Sequence, residues 1–161
     1  MKLLKVDQSM IEKTSKFAKE VFIDYYNDLI GNNQATYMAN LFLSDEAIDN
    51  LIKQGAIFKI LVLNETIIGF SAYQKQDSRL FLSKLYVHKN YRNQGYGKKL
   101  FLDCINYAKD NNLEKIFLTV NKYNTSSYNM YLHLGFKVID SVVNDIGNNY
   151  VMDDYIMEYT I

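Results

Sequence analysis

The chain has 161 residues, 48% of them hydrophobic, with 18 basic and 18 acidic side chains that cancel to a formal net charge of zero. That length suits one domain built around a mid-sized sheet. The charge balance removes any global electrostatic reason to bind nucleic acid or an anionic membrane, so an anion must be held by a local device.

Charge interrupts the first residues at Lys2, Lys5 and Asp7, before a secretory leader could form. No apolar run approaches the ~20 residues of a membrane span. The single cysteine, Cys104, has no internal disulfide partner. The expectation is a reducing, cytoplasmic setting.

Leu4 and Val6 suit a short opening strand. Between residues 10 and 29 the positions Met10, Ile11, Thr14, Phe17, Ala18, Val21, Phe22 and Tyr25 recur at helical spacing, and Gly31-Asn32-Asn33 breaks the pattern. A second helix is expected over 35–43. A third starts at Ser44, with Asp45 and Glu46 in its first turn, and stops at Gly55.

The period then changes. Residues 58–63 and 67–73 flank Asn64-Glu65-Thr66 as a hairpin, and 80–87 is a further strand. A glycine-containing loop leads into a helix from about Lys98, with Leu100, Phe101, Cys104, Ile105 and Ala108 on one face. Ile116, Leu118 and Val120 alternate as a strand, and residues 125–134 read as a short helix closed by Gly135. Residues 136–142 and 150–159 are terminal strands joined by a polar loop. The order implies an α+β domain spanning residues 1–161, with an antiparallel portion and a βαβ unit.

The loop Arg92-Asn93-Gln94-Gly95-Tyr96-Gly97 lies between a strand and an amphipathic helix. Gly95 and Gly97 remove side chains where the backbone must turn and approach a ligand. The free N–H groups of the next helical turn sit at the positive end of its dipole, where a phosphate is stabilised without a basic protein. Arg92 is one of only two arginines, and Lys98 and Lys99 follow the loop. A short Gly-x-Gly also suits a plain structural turn. The third glycine of a dinucleotide fingerprint and the Gly-Lys-Ser/Thr ending of a P-loop are both missing, so a nucleotide-binding regulator is disfavoured.

The run Leu85-Tyr86-Val87-His88-Lys89-Asn90-Tyr91-Arg92-Asn93-Gln94-Gly95-Tyr96-Gly97 resembles the acetyl-CoA signature of the GNAT N-acetyltransferases, Arg/Gln-x-x-Gly-x-Gly/Ala. Downstream, Asn121-Lys122-Tyr123-Asn124 and Tyr131-Leu132-His133-Leu134-Gly135-Phe136 resemble the family's Asn…Tyr-x-x-x-Gly-Phe segment. The resemblance implies a mostly antiparallel sheet of about six to seven strands flanked by helices. It implies acetyl-CoA as cosubstrate and direct transfer of the acetyl group to a primary amine.

By the same resemblance, backbone groups of Leu85, Tyr86 and Val87 hold the pantetheine arm. The loop from Arg92 and Asn93 through the amides of Gln94, Gly95, Tyr96, Gly97 and Lys98 holds the pyrophosphate. Asn124 contacts the cofactor arm, and it also suits the N-cap of the following helix. Tyr131 matches the tyrosine that protonates the departing thiolate, although a core tyrosine is the plain alternative.

Many relatives carry a basic carboxylate on the strand before the loop, where this chain has Ser83 and Lys84. The base is therefore unassigned; Asp153, Asp154 and Glu158 are sources on the last strand. His88 and His133 lack metal-ligand company, so no metal is expected. Cys104, on an apolar helix face, reads as a buried small hydrophobe.

Tyr25, Tyr26, Tyr37 and Phe42 suit a wall of the acceptor cleft, or equally helix core. The expected partner is a small-molecule amine, including a polyamine, or a peptide, with no nucleic acid and no membrane; a homodimer is compatible with this layout. The rival reading is a non-catalytic acyl-CoA-binding module on the same fold.

Overall fold

The computed structural model describes residues 1–161. Its strands are β1 (Lys2–Lys5), β2 (Ile57–Leu63), β3 (Thr66–Gln76), β4 (Arg79–Val87), β5 (Lys115–Asn121), β6 (Lys137–Gly147) and β7 (Tyr150–Thr160). They form one sheet in the order β1-β2-β3-β4-β5-β7-β6, and β4–β5 is its only parallel pair.

Helices α1 (Ile11–Ile30), α2 (Asn32–Phe42) and α3 (Asp45–Lys53) fall between β1 and β2. Helix α1 buries Ile11, Ala18, Val21, Phe22 and Tyr26 at spacings of one helical face. With Met38, Leu43 and Ile48 these side chains cover Phe58, Ile60, Phe70 and Ala72 of the sheet. Ser44 caps α3 by accepting the Ala47 N–H at 3.1 Å.

Helices α4 (Tyr96–Asp110) and α5 (Thr125–Leu134) contribute to a second apolar cluster, where Phe101, Cys104, Ile105 and Tyr131 meet Leu80, Leu82, Ile116, Leu118 and Met157. Asp103 of α4 pairs with Lys59 at 2.9 Å and accepts the Tyr73 hydroxyl at 2.8 Å, which ties the helix to β2 and β3.

Helix α4 begins at Tyr96, two residues before its expected start, so Gly97 lies inside the first turn. The reason is Gly95, whose left-handed φ of 86° serves as the N-cap and turns the chain directly into the helix. The segment Asp145-Ile146-Gly147, expected in a loop, continues β6 instead. Asn148 and Asn149, with φ of 56° and 62°, make the two-residue turn into β7, a conformation that asparagine tolerates.

Two irregularities of β4 position the site. Its parallel pairing with β5 runs only from Arg79↔Lys115 to Phe81↔Phe117. Beyond those pairs the strands diverge and leave an opening in the sheet. In the pairing with β3, Tyr73 faces Leu82 and Ala72 faces Lys84, so Ser83 is an extra residue without a partner. A one-residue offset exchanges the two faces of a strand, and this bulge does so for the rest of β4. No helix is long and apolar enough to cross a membrane.

Candidate active site

On one side of the opening, the end of β4, the following loop and the starts of α4 and α5 enclose a groove of about 310 Å³. Leu85, Tyr86 and Val87 form its strand wall; Arg92, Asn93, Gly95, Tyr96, Gly97 and Lys98 form the loop wall. Tyr25, Tyr91, Ser126, Ser127 and Met130 complete it.

Asn93 and Gly95 both have left-handed backbones, with φ of 61° and 86°, which curls the loop around the helix start. No side chain caps α4, and its first hydrogen bond back runs from the Lys99 N–H to the Gly95 carbonyl at 3.1 Å. The preceding amides of Tyr96, Gly97 and Lys98 remain as donors at the positive end of the dipole.

Arg92 is held in place rather than loose on the surface. Its Nε donates to the Val87 carbonyl at 3.0 Å, and its guanidinium sits 5.0 Å from the centre of the Tyr25 ring. A Cβ at Gly97 would point to Leu85 and Val87 at 3.9 and 4.0 Å, inside the cradle but in ordinary contact. Uncapped amides, a fixed guanidinium and a helix turn without side-chain bulk fit a pyrophosphate.

The groove continues into the opening between β4 and β5, where Ser83–Tyr86 face Leu118, Thr119 and Val120, with Asn124, Ser127 and Tyr131 alongside. Tyr131 projects from α5 and packs its ring on Phe136 at 5.3 Å. Burial, with Tyr26 and Tyr25 close by, raises its hydroxyl well above the ordinary tyrosine value. Asn124 caps α5, accepting the Ser127 N–H at 3.2 Å and the Tyr25 hydroxyl at 2.7 Å. Its amide also reaches the Tyr26 hydroxyl at 3.5 Å, so internal partners occupy it.

On the α1 side of the sheet the opening leads to a cavity of about 230 Å³, walled by Phe22, Met38, Phe42, Leu43, Phe81 and Met152. Tyr86 borders the groove, the opening and the cavity alike. Lys84 and Asp154 also line the cavity. Asp154 is 3% exposed, and burial, with Asp153 beside it, raises its carboxyl to about 6. Burial lowers the Lys84 ammonium to about 8.

The other acids of β7 are engaged elsewhere. Glu158 bridges Arg79 and Lys115 at 3.0 and 3.1 Å. Burial pushes its carboxyl up, but hydrogen bonds from Lys115 and Arg79 outweigh this and leave it below the ordinary range. Asp153 pairs with Lys122 at 2.9 Å. Of the three carboxylates noted in the sequence, only Asp154 faces the cavity.

The structure thus brings nine of the expected residues, Leu85 to Val87, Arg92, Asn93 and Gly95 to Lys98, into one groove. The exposed Gln94 points back to the Asn90 carbonyl at 3.3 Å, and Asn124 borders the opening rather than the groove. Tyr25 belongs to the groove, not to the acceptor wall, because Arg92, Asn124 and Ser127 hold it there. Tyr37 donates to the Ile146 carbonyl at 2.7 Å and braces the β6–β7 hairpin. Tyr26 and Phe42 do line the cavity. Lys84 and Asp154 escaped assignment because only the bulge and the β5–β7 register aim them there. His88 accepts the Asn90 N–H at 3.1 Å and stacks on Phe17, and Cys104 is fully buried with its thiol pushed up by burial.

The acetyltransferase (GNAT) family matches residues 18–136 of this chain. A probable N-acetyltransferase, san, of Drosophila melanogaster is 26% identical over 103 residues, which is 61% of this chain and 56% of that protein. The chain thus matches little more than half the length of that curated relative. Among solved structures, the PaiA N-acetyltransferase of Thermoplasma acidophilum in complex with coenzyme A has a TM-score of 0.85 at 22% identity, covering 99% of this chain and 98% of that one. The ribosomal-protein-S18-alanine N-acetyltransferase of Escherichia coli has a TM-score of 0.74 at 16% identity, covering 99% and 93%. These likenesses establish the fold.

The raised carboxyl of Asp154 makes a stability prediction. A group protonated more readily in the folded chain contributes stability below its unfolded value of 3.8, and that stability is lost as pH rises through about 6. Asp154→Asn removes the loss. Urea unfolding should show the variant more stable than the parent by up to about 3 kcal/mol at pH 8, but by little at pH 4. An equal difference at both values would contradict a carboxyl raised by burial.

Proposed function

The chain belongs to the acetyltransferase (GNAT) family, and on that premise we propose that it transfers an acetyl group from acetyl-CoA directly to the primary amine of a small molecule or peptide. The observation that carries this reading is the continuity of groove, opening and cavity through one gap in the sheet. Anion-binding amides lie at one mouth and a buried carboxylate at the other. A donor thioester threaded from the groove would meet an amine in the cavity without either leaving the protein.

The residues divide the work. The amides of Gly95 to Lys98 and the Arg92 guanidinium would hold the pyrophosphate; Leu85, Tyr86 and Val87 would offer backbone groups to the pantetheine arm. Arg92 also positions the loop through the Val87 carbonyl. Asn124 would act mainly by fixing the start of α5, and through it Tyr131, with the cofactor arm passing beside it.

The acceptor amine must be neutral to attack. Deprotonating an alkyl ammonium at pH 7 costs about 4–5 kcal/mol. Asp154, with its carboxyl near 6, is largely ionised at neutral pH and more basic than a solvated aspartate, so it would receive that proton directly or through a water. As the C–N bond forms and the C–S bond breaks, negative charge passes to the leaving sulfur, and the second proton that the acylated nitrogen sheds neutralises that thiolate, leaving amide and free thiol. The Tyr131 hydroxyl, kept protonated by its raised value, would donate a hydrogen bond to that sulfur. Full proton transfer from so weak an acid is uphill, so stabilisation of the developing thiolate is its main effect.

The absence of a carboxylate on β4 does not by itself favour the non-catalytic module, because Asp154 faces from β7 the cavity that Ser83 and Lys84 line. Incubation with acetyl-CoA and a panel of primary amines should release free thiol. Calorimetry that detects no acetyl-CoA binding would sink the proposal, and binding without turnover on a broad panel would restore the non-catalytic reading.

Two variants separate holding from chemistry. Gly97→Val should weaken acetyl-CoA binding at least about tenfold, or 1.4 kcal/mol, since the protein itself accommodates the added Cβ. Unchanged affinity would argue against the cradle. Tyr131→Phe should lower kcat about 10²-fold with acetyl-CoA affinity nearly constant; a parallel loss of affinity would indicate a packing role instead.

A further inference from the structure

We infer that the acceptor is an amino carboxylate with an apolar body: it presents its amine to Asp154 and its carboxylate to Lys84. This rests on the reading that the 230 Å³ cavity receives the acceptor.

Two opposite charges line that cavity; Lys84 has no ion-pair partner, and Lys122, the one nearby cation that favours the charged form of Asp154, is itself paired with Asp153 at 2.9 Å. The Lys84 ammonium lies over the Phe58 ring, 5.8 Å from its centre. Elsewhere the chain pairs its partly buried charges: Lys59 with Asp103, Arg79 and Lys115 with Glu158, Lys122 with Asp153. Lys84 and Asp154 are held apart, Lys84 on β4 and Asp154 on β7, with β5 between them in the sheet. An ammonium and a carboxylate withdrawn from water are each unfavourable unless a counter-charge meets them. A zwitterion supplies both at once.

The remaining wall restricts the choice further. The Ser83 hydroxyl donates to the Ala72 carbonyl, and the Asn121 side-chain oxygen accepts the Tyr123 N–H. The Tyr26 and Tyr86 hydroxyls, the other titratable groups on the wall, meet each other at 3.4 Å. Phe22, Met38, Phe42, Leu43 and Met152 supply apolar surface for a hydrocarbon group. A polyamine fits poorly, because its second ammonium would share this small space with Lys84. The bulge at Ser83 makes the arrangement specific, since without it Lys84 would point to the other face of the sheet.

The test compares kcat/KM for leucine, leucinamide, isopentylamine and 1,4-diaminobutane, with acetyl-CoA saturating. Leucine should exceed each of the other three at least tenfold. In Lys84→Met the leucine-to-isopentylamine ratio should collapse at least tenfold, mainly through a higher KM for leucine, and Lys84→Arg should retain most of it. Preference of the parent protein for isopentylamine, leucinamide or the diamine would overturn the inference while leaving the acetyltransferase reading intact. An unchanged ratio in Lys84→Met would do the same. The parent panel decides the matter even if the variant folds poorly. Absence of turnover with every amine, together with no binding of acetyl-CoA, would overturn both readings.

Discussion

Everything proposed for this protein depends on where β4 and β5 stop pairing. Three residue pairs, from Arg79↔Lys115 to Phe81↔Phe117, close the sheet at one end, and the strands then part. The closed end is fixed from both faces. Leu80 and Ile116 are fully buried against α4, while Arg79 lies over Phe117 at 4.1 Å and bonds Glu158. Burial of each large apolar side chain contributes about 1.5–3 kcal/mol, enough to hold the join firmly. The open end leaves backbone that no neighbouring strand satisfies, at the point where α4 begins and α5 crosses. Unpaired backbone in a gap between strands invites an extended ligand to complete it.

The charge distribution follows from this frame. A chain of zero net charge has no long-range attraction for a polyanion, yet the start of α4 concentrates uncapped amides, Arg92 and Lys98 in one groove. The opposite mouth is apolar and small, and there the Lys84 ammonium and the Asp154 carboxylate are felt strongly because little water screens them. The two sites differ in kind. The groove tolerates charge because it is open and dipole-lined, whereas the cavity shifts the protonation of whatever lines it. Asp154 therefore lowers stability at neutral pH and is the group proposed to accept the proton of the acceptor, a trade commonly met between stability and function.

Much of this was legible in the sequence. The 3.6-residue period of α1 and α4, the alternation in β5, and the Ser44 and Asn124 caps located the elements within a few residues. The paired glycines with a preceding strand located the groove. The start of α4 was misjudged by two residues because a left-handed Gly95 acts as the cap itself, a role that composition does not distinguish from a loop glycine. The long β6–β7 hairpin was underestimated because an exposed edge strand carries polar residues that look like a loop. The acceptor side was hidden for a deeper reason. Lys84 reaches the cavity only because Ser83 is bulged, and Asp154 only because its register with Asn121 sets it across from the open end of β4. Both are facts of pairing between distant segments. The place of Tyr25 in the groove was not legible, since acceptor wall and helix core suited it equally and helical period gives the face of a helix, not which cavity that face meets.

The most direct test is residue-resolved. In ¹⁵N-labelled protein titrated with acetyl-CoA, the amide signals of Gly95, Tyr96, Gly97 and Lys98 should shift downfield as phosphate oxygens accept their protons. Leu85 to Val87 should move with them at the same saturation, and signals around Glu114 and Lys115, at the closed end of the sheet, should stay still. Binding that leaves the four loop amides unmoved, or whose largest changes lie at that closed end, would contradict the account.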